Sequence, residues 1–479
     1  MDTPVKPSSA PPIPEAAEQT LYEVRKKIYP RAVHGTFAAW RWTFVLLTQL
    51  VFYGLPWLNW NDRQAVLFDL ISRKFYIFGL VFWPQDIVYL TVLLIICAYS
   101  LFLFTAVAGR LWCGFACPQT VYTEVFMWIE RIVEGDRLAR MKLDQTPLSA
   151  RKFRLKAVKH GLWIVLALWT GFTFVGYFTP IHVLWNEVMT LHTGPWETFW
   201  VLFYGFATYG NAGWMREQVC KYMCPYARFQ SVMFDPDTLI ITYDPARGEP
   251  RGSRGKSVDY KAKGLGDCVD CNICVQVCPT GIDIRNGLQY ECIGCAACID
   301  GCNQVMDKMG YPKGLIRYST EKAMQGHYGT ERILKRVFRP RVLVYTAVLW
   351  LIIIAAAVTL YHRVPLKVDV IRDRGNVMHG SDDPEVQNVY RLQIMNTQEI
   401  ARDVRISVAG VEGIKLEIEP QPIRVAPTSS RVIAVRVEAP RASLEDRSNR
   451  IHFTVEAVDP THPGSAPLTV VERATLVAP

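Results

Sequence analysis

Two tandem cysteine runs in the middle of the chain restrict its possible folds more than any other feature. Both have the spacing C-x2-C-x2-C-x3-C, and they comprise Cys268, Cys271, Cys274 and Cys278, then Cys292, Cys295, Cys298 and Cys302. A loop with a cysteine at every third residue brings three thiolates to one cubane iron–sulfur cluster, while the fourth cysteine points away and binds the other cluster. We therefore predict two 4Fe–4S clusters, one held by Cys268, Cys271, Cys274 and Cys302 and the other by Cys292, Cys295, Cys298 and Cys278.

Zinc binding and disulfide formation are the alternatives for cysteines at close spacing. Zinc sites more often have separated Cys-x2-Cys pairs than triplets, so the pattern favours iron–sulfur clusters. The two runs differ at one position, because Pro279 follows the first run and Asn303 follows the second. This difference removes no predicted ligand.

The composition indicates a membrane protein with polar domains. Half of the 479 residues are hydrophobic, only 20% are charged, and the mean hydropathy is +0.10. The net charge of +9 comes from basic residues beside apolar segments, which is typical of cytoplasmic membrane flanks rather than of nucleic-acid binding. All 13 cysteines precede residue 303, which predicts a reducing compartment for that part of the chain.

Five apolar stretches are long enough to cross about 30 Å of hydrocarbon. They are Thr43–Trp60, Ile87–Ala108, Gly161–Pro180, Trp196–Trp214 and Val342–Tyr361. Basic residues before the first stretch place the N-terminus in the cytoplasm, and five crossings then place the C-terminus outside. The stretch Phe75–Pro84 is too short to cross, and we expect it to be interfacial or re-entrant.

Residues after 365 alternate between apolar and polar side chains. Asn388–Asn396, Val404–Val408 and Val432–Val437 show this period of two, and Pro, Gly, Asn and Asp separate the runs. Such a pattern predicts one immunoglobulin-like β-sandwich.

The predicted fold is therefore a multidomain membrane protein. It has an α-helical transmembrane bundle of five spans, a cytoplasmic ferredoxin domain of the bacterial type with two 4Fe–4S clusters, and a C-terminal immunoglobulin-like β-sandwich. The predicted boundaries are a cytoplasmic tail at 1–38, a four-span membrane domain at 39–225, the ferredoxin domain at 226–340, a fifth transmembrane helix at 341–362 and a periplasmic sandwich at 363–479.

A repeated Cys-x3-Cys-Pro motif occurs in the membrane half. Cys113 and Cys117 form the first copy and Cys220 and Cys224 the second, 107 residues further on. Each copy closes a predicted span that returns to the cytoplasm, which indicates a parallel internal repeat. The four thiols then converge near the repeat axis, where they are suited to Cu(I), to a further iron–sulfur centre or to a disulfide. The alternative is that they are packing residues at helix ends.

Several other redox and nucleotide motifs are absent. No Cys-x2-Cys-His sequence occurs, which excludes attachment of c-type haem. Gly255-Lys256-Ser257 resembles the end of a P-loop, but Pro250 stands where that motif requires glycine. The chain is predicted to carry electrons on metals alone.

The whole layout resembles the cytochrome oxidase accessory proteins of the FixG/CcoG/RdxA type. The motifs Trp112-Cys-Gly-Phe-Ala-Cys-Pro-Gln-Thr and Cys220-Lys-Tyr-Met-Cys-Pro-Tyr-Ala-Arg, the tandem cysteine runs and the terminal sandwich carry this resemblance. It implies a multi-pass protein of the bacterial inner membrane that reduces Cu(II) to Cu(I) for maturation of the cbb3-type oxidase. On that basis Cys113, Cys117, Cys220 and Cys224 are expected to be the catalytic thiols.

The expected partners are membrane lipid, a cytoplasmic electron donor, copper ion or a copper chaperone, and oxidase assembly factors, with no nucleic acid. Two other functions remain open from the sequence. One is an electron-transfer subunit that exchanges electrons with quinone, as in the related membrane ferredoxins of nitrate and nitrous oxide respiration. The other is a non-enzymatic scaffold for oxidase assembly.

Overall fold

The structure is a computed structural model that describes residues 27–326, 334–373, 385–444, 446–460 and 467–478. Its helices are α1 (Thr36–Gly54), α2 (Ile87–Ala108), α3 (Leu111–Phe115), α4 (Pro118–Glu134), α5 (Arg137–Gln145), α6 (Ala150–Val175), α7 (Ile181–Thr190), α8 (Pro195–Thr208), α9 (Pro225–Met233), α10 (Pro245–Gly248), α11 (Ile273–Gln276), α12 (Ala297–Met309), α13 (Glu321–Met324) and α14 (Pro340–Tyr361). Its strands are β1 (Asn59–Trp60), β2 (Arg63–Gln64), β3 (Val66–Asp69), β4 (Lys74–Ile77), β5 (Leu80–Phe82), β6 (Ile240–Tyr243), β7 (Ile316–Ser319), β8 (Leu366–Arg372), β9 (Glu385–Asn396), β10 (Arg402–Ala409), β11 (Lys415–Glu417), β12 (Ile423–Val425), β13 (Ser430–Pro440), β14 (Ser448–Val458) and β15 (Leu468–Val477). The predicted tail at 1–38 lies mostly outside the described residues.

Three helices among the described residues are long and apolar enough to cross a membrane. They are Pro84–Ala108, Ala150–Val175 and Pro340–Tyr361. The first and last contain the second and fifth predicted spans, whereas Ala150–Val175 ends before Pro180, the predicted end of the third span. The apolar window of the first is not buried by the protein at all, so its leucines and isoleucines face outward. An exposed apolar surface of this kind is stable when hydrocarbon covers it.

The first predicted span ends earlier than expected, whereas the fourth is covered by α8 and the π-helical stretch that follows it. The helix α1 ends at Gly54 and is followed by a 3-10 turn at Leu55–Trp57, so the prediction of a span to Trp60 ended too late. Glycine followed by Pro56 explains this end, because Gly is a poor helix former and Pro cannot donate to the preceding turn. The helix α8 widens after Thr208 into a π-helical stretch, Tyr209–Met215. That α1 and α8 cross the membrane stays a prediction.

The segment between α1 and α2 forms a small sheet in the order β3-β4-β5. The stretch Phe75–Pro84, expected to be interfacial or re-entrant, supplies β5 and most of β4. Val81 and Trp83 pack against the fully buried Met395 of β9. Asp86, with only 2% of its side chain exposed, pairs with Arg363 at 2.5 Å and also with Lys367. This membrane-domain segment is therefore fixed to the C-terminal domain.

The C-terminal domain is a sandwich of two four-stranded antiparallel sheets. Their orders are β12-β10-β14-β15 and β11-β13-β9-β8. Alternate side chains of β9 and β14 enter one core, in which Tyr390 and Phe453 are fully buried with ring centroids 5.2 Å apart. The period-two alternation therefore correctly predicted the sandwich.

The cysteine-rich domain lies at the other end of the membrane helices. Strands β6 and β7 precede and follow the two cysteine runs in the chain and pair antiparallel. Phe115 of α3 belongs to the core of this domain. Asp300 of α12 accepts backbone hydrogen bonds from Phe37 at 3.3 Å and Ala38 at 2.7 Å. This carboxylate supplies the acceptor that the first amides of α1 lack, so it fixes the domain to the start of that helix.

Candidate iron–sulfur and thiol centre

The first cysteine group consists of Cys268, Cys271, Cys274 and Cys302. All four line one cavity. Burial raises the pKa of Cys302 to about 12, and the neighbouring thiols of this group add to the effect. The structure therefore brings together the four cysteines that the spacing predicts for one cluster.

The second group consists of Cys292, Cys295, Cys298 and Cys278. They line a second cavity, which Cys274 of the first group also reaches. The pKa of Cys298 is raised well above its usual value, first by burial and then by the thiols of Cys295, Cys292 and Cys278. Each group thus takes three cysteines from one run and the last cysteine of the other run.

The two cysteine loops share an unusual backbone conformation. Asp270 and Asn272 flank the second cysteine of the first run with φ of 52° and 55°, and Gly294 and Ala296 do so in the second run with φ of 69° and 59°. Residues other than glycine seldom adopt positive φ, and such conformations concentrate at functional sites. The repeated backbone is the structural counterpart of the repeated spacing.

The donor chemistry of both groups fits iron–sulfur clusters. Within the described ranges, no three His, Cys, Asp or Glu side chains lie close enough together to hold a single metal ion. Four cysteines around one cavity are suited to a cluster of several iron atoms, whose usual protein ligands are cysteine thiolates. The eight cysteines are free thiols in the structure, and that they are the ligands of two such clusters stays a prediction.

The Cys-x3-Cys-Pro motifs occupy equivalent breaks between helices. Cys117 is the N-cap of α4 and Cys224 is the N-cap of α9, and the proline that follows each is the first residue of its helix. Proline suits this position because it lacks only an amide hydrogen that no helical carbonyl would accept. The chain therefore turns at the second cysteine of each motif, as the proposed internal repeat requires.

The four motif thiols converge. Burial raises the pKa of Cys220 to about 12, and the nearby thiols of Cys117, Cys113 and Cys224 raise it further. The thiol of Cys113 donates a hydrogen bond to Gln230 at 3.4 Å. These cysteines are partly buried and carry no disulfide.

The converged thiols lie directly against the second cysteine group. Cys113 and Cys220 pack in one cluster with Cys295 and Cys298. A Cβ on Gly114 would be 2.7 Å from the Cα of Cys295, so the two loops are in backbone contact. The three cysteine groups therefore form a continuous row, with the second group in the middle.

Arg110 joins the two loops and was not predicted as a site residue. Its guanidinium is buried, donates to the carbonyl oxygens of Tyr290 at 2.6 Å and of Ala227, and lies 4.9 Å from the Tyr290 ring centroid. Its charge opposes the effect of burial on the pKa of Cys113 and of Cys220. A charged residue three positions before the first motif cysteine was the only sequence signal for this role.

A buried ion network supports the second motif and was likewise not predicted. Glu130 of α4 pairs with Arg140 at 3.1 Å, Arg216 at 3.0 Å and Lys159 at 3.6 Å. These cations hold the pKa of the Glu130 carboxyl below its usual value against the effect of burial. Arg216 has a φ of 45°, and its ion pair fixes the chain just before Cys220.

We expect Gly114→Ala to disturb the contact between the thiol site and the second cysteine group. The added Cβ would meet the backbone of Cys295 and Gly294 at 2.7 to 2.8 Å, which a flexible side chain cannot relieve. Overpacking of this kind costs about 1–3 kcal/mol. The midpoint of thermal unfolding should fall, and the EPR signal of the second cluster should change.

Gly161→Ala is the matched control, because no heavy atom lies within 4 Å of the Cβ it would add. Its stability should equal or slightly exceed that of the wild type, since Ala favours helices over Gly. Equal stability and equal EPR signals in the two variants would contradict the close contact at Gly114.

Family profiles match three parts of the chain. A 4Fe-4S dicluster domain matches residues 215–321 and a 4Fe-4S binding domain matches residues 90–135. The IG-like fold at the C-terminus of FixG matches residues 356–479. Both iron–sulfur profiles include the motif cysteines, since the first contains Cys220 and Cys224 and the second Cys113 and Cys117.

Three curated relatives are similar over most of their length. The nitrogen fixation protein FixG of Rhizobium meliloti is 37% identical over 92% of this chain and 91% of that protein. RdxA of Cereibacter sphaeroides is 36% identical over 95% of this chain and 98% of its own length. RdxB of the same organism is 39% identical over 86% of this chain and 88% of that protein.

Proposed function

The chain belongs to the FixG and RdxA family of iron–sulfur electron-transfer proteins, and from that premise we propose that it reduces Cu(II) to Cu(I) in the assembly of a cbb3-type cytochrome oxidase. One observation carries the proposal. The converged thiols of Cys113, Cys117, Cys220 and Cys224 adjoin the second cysteine group. A copper ion bound by these soft thiolate ligands would therefore lie next to Cys295 and Cys298, from which it could receive an electron.

The proposed reaction needs one electron for each copper ion. When bound, the two 4Fe–4S clusters supply one-electron transfer. The loops of Cys268–Cys278 and Cys292–Cys302 would hold them, and Gly114 and Arg110 keep the thiol site in contact with the nearer loop. Thiolate is a soft ligand that favours Cu(I) over Cu(II), so the site draws the reaction toward the reduced ion.

The accessibility of the thiol site suits copper as a substrate, since its four cysteines are only partly buried. Closed sites with four ligands are typical of structural metals, whereas open positions are typical of sites with exchangeable ligands. Copper bound by fewer thiols can pass on to a chaperone or an oxidase assembly factor, which are the proposed partners.

A quinone is the second proposed acceptor, supported by a cavity of about 350 Å³. His160, Trp163 and Trp214 line it, together with Arg216 and Glu217. Glu217 also borders a smaller cavity that Cys220 lines. Charged residues make up more than half of its lining, so the tryptophans would contact the quinone ring and the cations would donate hydrogen bonds to its oxygens.

Anaerobic titration of the fully reduced protein tests the proposed function. With two clusters reduced, Cu(II) supplied with a Cu(I) chelator should yield about two Cu(I) per chain as the cluster absorbance returns. A water-soluble quinone is the parallel arm. Oxidation of the clusters by quinone without any oxidation by Cu(II) would replace copper with quinone as the acceptor.

We further propose that the chain lies in the bacterial inner membrane with its cysteine-rich domain in the cytoplasm and its sandwich in the periplasm. Supporting contacts lie at opposite helix ends: Asp300 binds the start of α1, whereas Asp86 binds the sandwich. Basic residues cluster at the cysteine-rich end, as the positive-inside rule requires.

Reporter fusions are expected to confirm this topology. Fusions after residues 145 and 320 should report the cytoplasm, because both positions adjoin the basic, cysteine-rich end. Fusions at residue 187 and at the C-terminus should report the periplasm. A cytoplasmic C-terminus would contradict five crossings and the separation of the two domains.

A further inference from the structure

A large cationic cavity lies beside the second cysteine group. It has a volume of about 350 Å³ and lies between residues 30–42, the helix α4 and the residues that flank Cys278. Its described lining has one carboxylate, Glu124, and four arginines: Arg31, Arg41, Arg131 and Arg140. The volume is that of a typical small-molecule site.

The arginines of this cavity have unused hydrogen-bonding capacity. Arg41 is only 7% exposed, its Nη1 donates to the carbonyl of Cys295 at 3.5 Å, and its Nε has no partner. The guanidinium groups of Arg31 and Arg131 have no hydrogen bond or ion pair within the described parts of the chain. Buried polar atoms are almost always paired, so a buried guanidinium nitrogen with no partner points to a missing acceptor.

The neighbouring carboxylates are already used by the backbone. Asp136 accepts the amide hydrogen of Ala32 at 3.2 Å, and Asp300 accepts those of Phe37 and Ala38. Arg140 pairs with the buried Glu130, which is outside the cavity lining and also pairs with Arg216 and Lys159. Arg31, Arg41 and Arg131 therefore face Glu124 with an excess of positive charge, which favours an anionic ligand.

The same cavity has an aromatic wall. Trp42 and Trp128 line it, with ring centroids 6.0 Å apart and an interplanar angle of 69°. Tryptophan faces bind planar rings through stacking and apolar contact. An anionic group on the arginines and a planar ring on the tryptophans can therefore belong to one molecule.

The cavity also adjoins the second cysteine group. Val277 and Pro279, which flank Cys278, are part of its wall. Arg41 contacts the carbonyl of Cys295 from the same cavity. A ligand in this cavity would therefore lie close to Cys278 and Cys295, two of the four cysteines of that group.

We propose that this cavity binds a phosphate-bearing planar aromatic electron carrier with the chemistry of reduced flavin mononucleotide, and that electrons enter the chain there. Arg31, Arg41 and Arg131 would bind the phosphate, since guanidinium groups form paired hydrogen bonds with phosphate oxygens. The reduced flavin loses two electrons, one for each 4Fe–4S cluster, releases two protons to solvent and leaves as oxidised flavin. The proposal rests on the proposed electron-transfer function.

Flavin fluorescence tests the binding site on the anaerobically purified, cluster-loaded full chain. Added flavin mononucleotide should bind with quenching of its fluorescence, and Arg31→Gln with Arg131→Gln should weaken binding at least about tenfold, since hydrogen bonds to charged groups contribute that much. Riboflavin, which lacks the phosphate, should bind at least about tenfold more weakly. Arg154→Gln, at an exposed basic position of α6, is the control and should bind as the wild type does.

A second measurement separates this proposal from the proposed function. Reduced flavin mononucleotide should bleach the cluster absorbance more slowly in the double variant, whereas dithionite should reduce both proteins equally and support equal Cu(II) reduction. Equal flavin binding by the double variant, or equal binding of riboflavin, would overturn the flavin site. So would displacement of the flavin by vesicles of anionic phospholipid, because the arginines would then bind a lipid headgroup.

Discussion

Replacing Cys113 and Cys220 together with serine is expected to abolish Cu(II) reduction while both iron–sulfur clusters remain. Serine has nearly the size of cysteine but is a hard, poorly acidic ligand that cannot form a disulfide. One cysteine of each motif is lost, so neither helix break retains a complete pair. Because these two thiols pack against Cys295 and Cys298, the substitution removes the part of the thiol site nearest the second cysteine group.

The measurement is a Cu(I)-chelator assay on membranes supplied with an artificial electron donor. Cluster content is followed by EPR and by iron analysis, with about eight irons per chain expected for two clusters. More iron in the wild type, lost in the double variant, would assign a further iron–sulfur centre to the motif thiols. Cys97→Ser is the control, since Cys97 is an exposed cysteine of α2 apart from both sites.

Full Cu(II) reduction by the double variant would show that the motif cysteines are packing residues at helix ends. Copper would then have to be reduced elsewhere, and the cavity of His160, Trp163 and Trp214 would be the next site to test with quinone. Activity in the control together with its loss in the double variant would support the proposed copper site.

The cysteine grouping could be predicted because spacing along the chain determines it. A loop that brings Cys268, Cys271 and Cys274 together cannot also bring Cys278 inward, and the structure accordingly places Cys278 in the other group. The sandwich could be predicted for a related reason. Alternate residues of a strand lie on opposite faces, so burial on one face is visible in the sequence itself.

The contacts between distant segments could not be predicted in the same way. Asp86 was one acid near the end of a loop, and its partners Arg363 and Lys367 follow it by more than 270 residues. The short apolar run Phe75–Pro84 is compatible with strand, turn or interfacial helix, and only packing on Met395 selects the strands. Burial of Arg110 likewise depends on Tyr290, which belongs to another domain.

The cationic cavity illustrates the same limit at a functional site. Arg31, Arg41 and Arg131 are consistent with ordinary basic membrane flanks, and their sequence neighbours give no other indication. Their convergence on one cavity depends on the position of α4 beside the start of α1 and on the backbone near Cys278. The basic residues alone predict which end of the helices faces the cytoplasm. Only the fold shows that three of these arginines line one cavity.

The second large effect is expected from Cys271→Ser, which should remove the first cluster and weaken the second. Cys271 is exposed, so the substitution changes a predicted ligand without creating a cavity in the core. Cys278 and Cys302 each belong to the opposite group, and Cys274 lines both cavities, so disorder in one loop reaches both. Iron should fall from about eight to about four per chain or fewer, because metal binding and folding are coupled.

Iron and acid-labile sulfide analysis, EPR and thermal unfolding measure this effect, with Cys97→Ser again as a second exposed cysteine. Retention of about eight irons by the Cys271→Ser protein would contradict the ligand assignment, and zinc in place of iron and sulfide in the wild type would contradict the clusters themselves.

The Cys271→Ser variant also distinguishes an enzyme from a scaffold. If the folded variant, which has lost its clusters, restored oxidase assembly in cells, the clusters would have a structural role. If it inserted into the membrane but failed to restore assembly, the result would support electron transfer as the function that assembly requires.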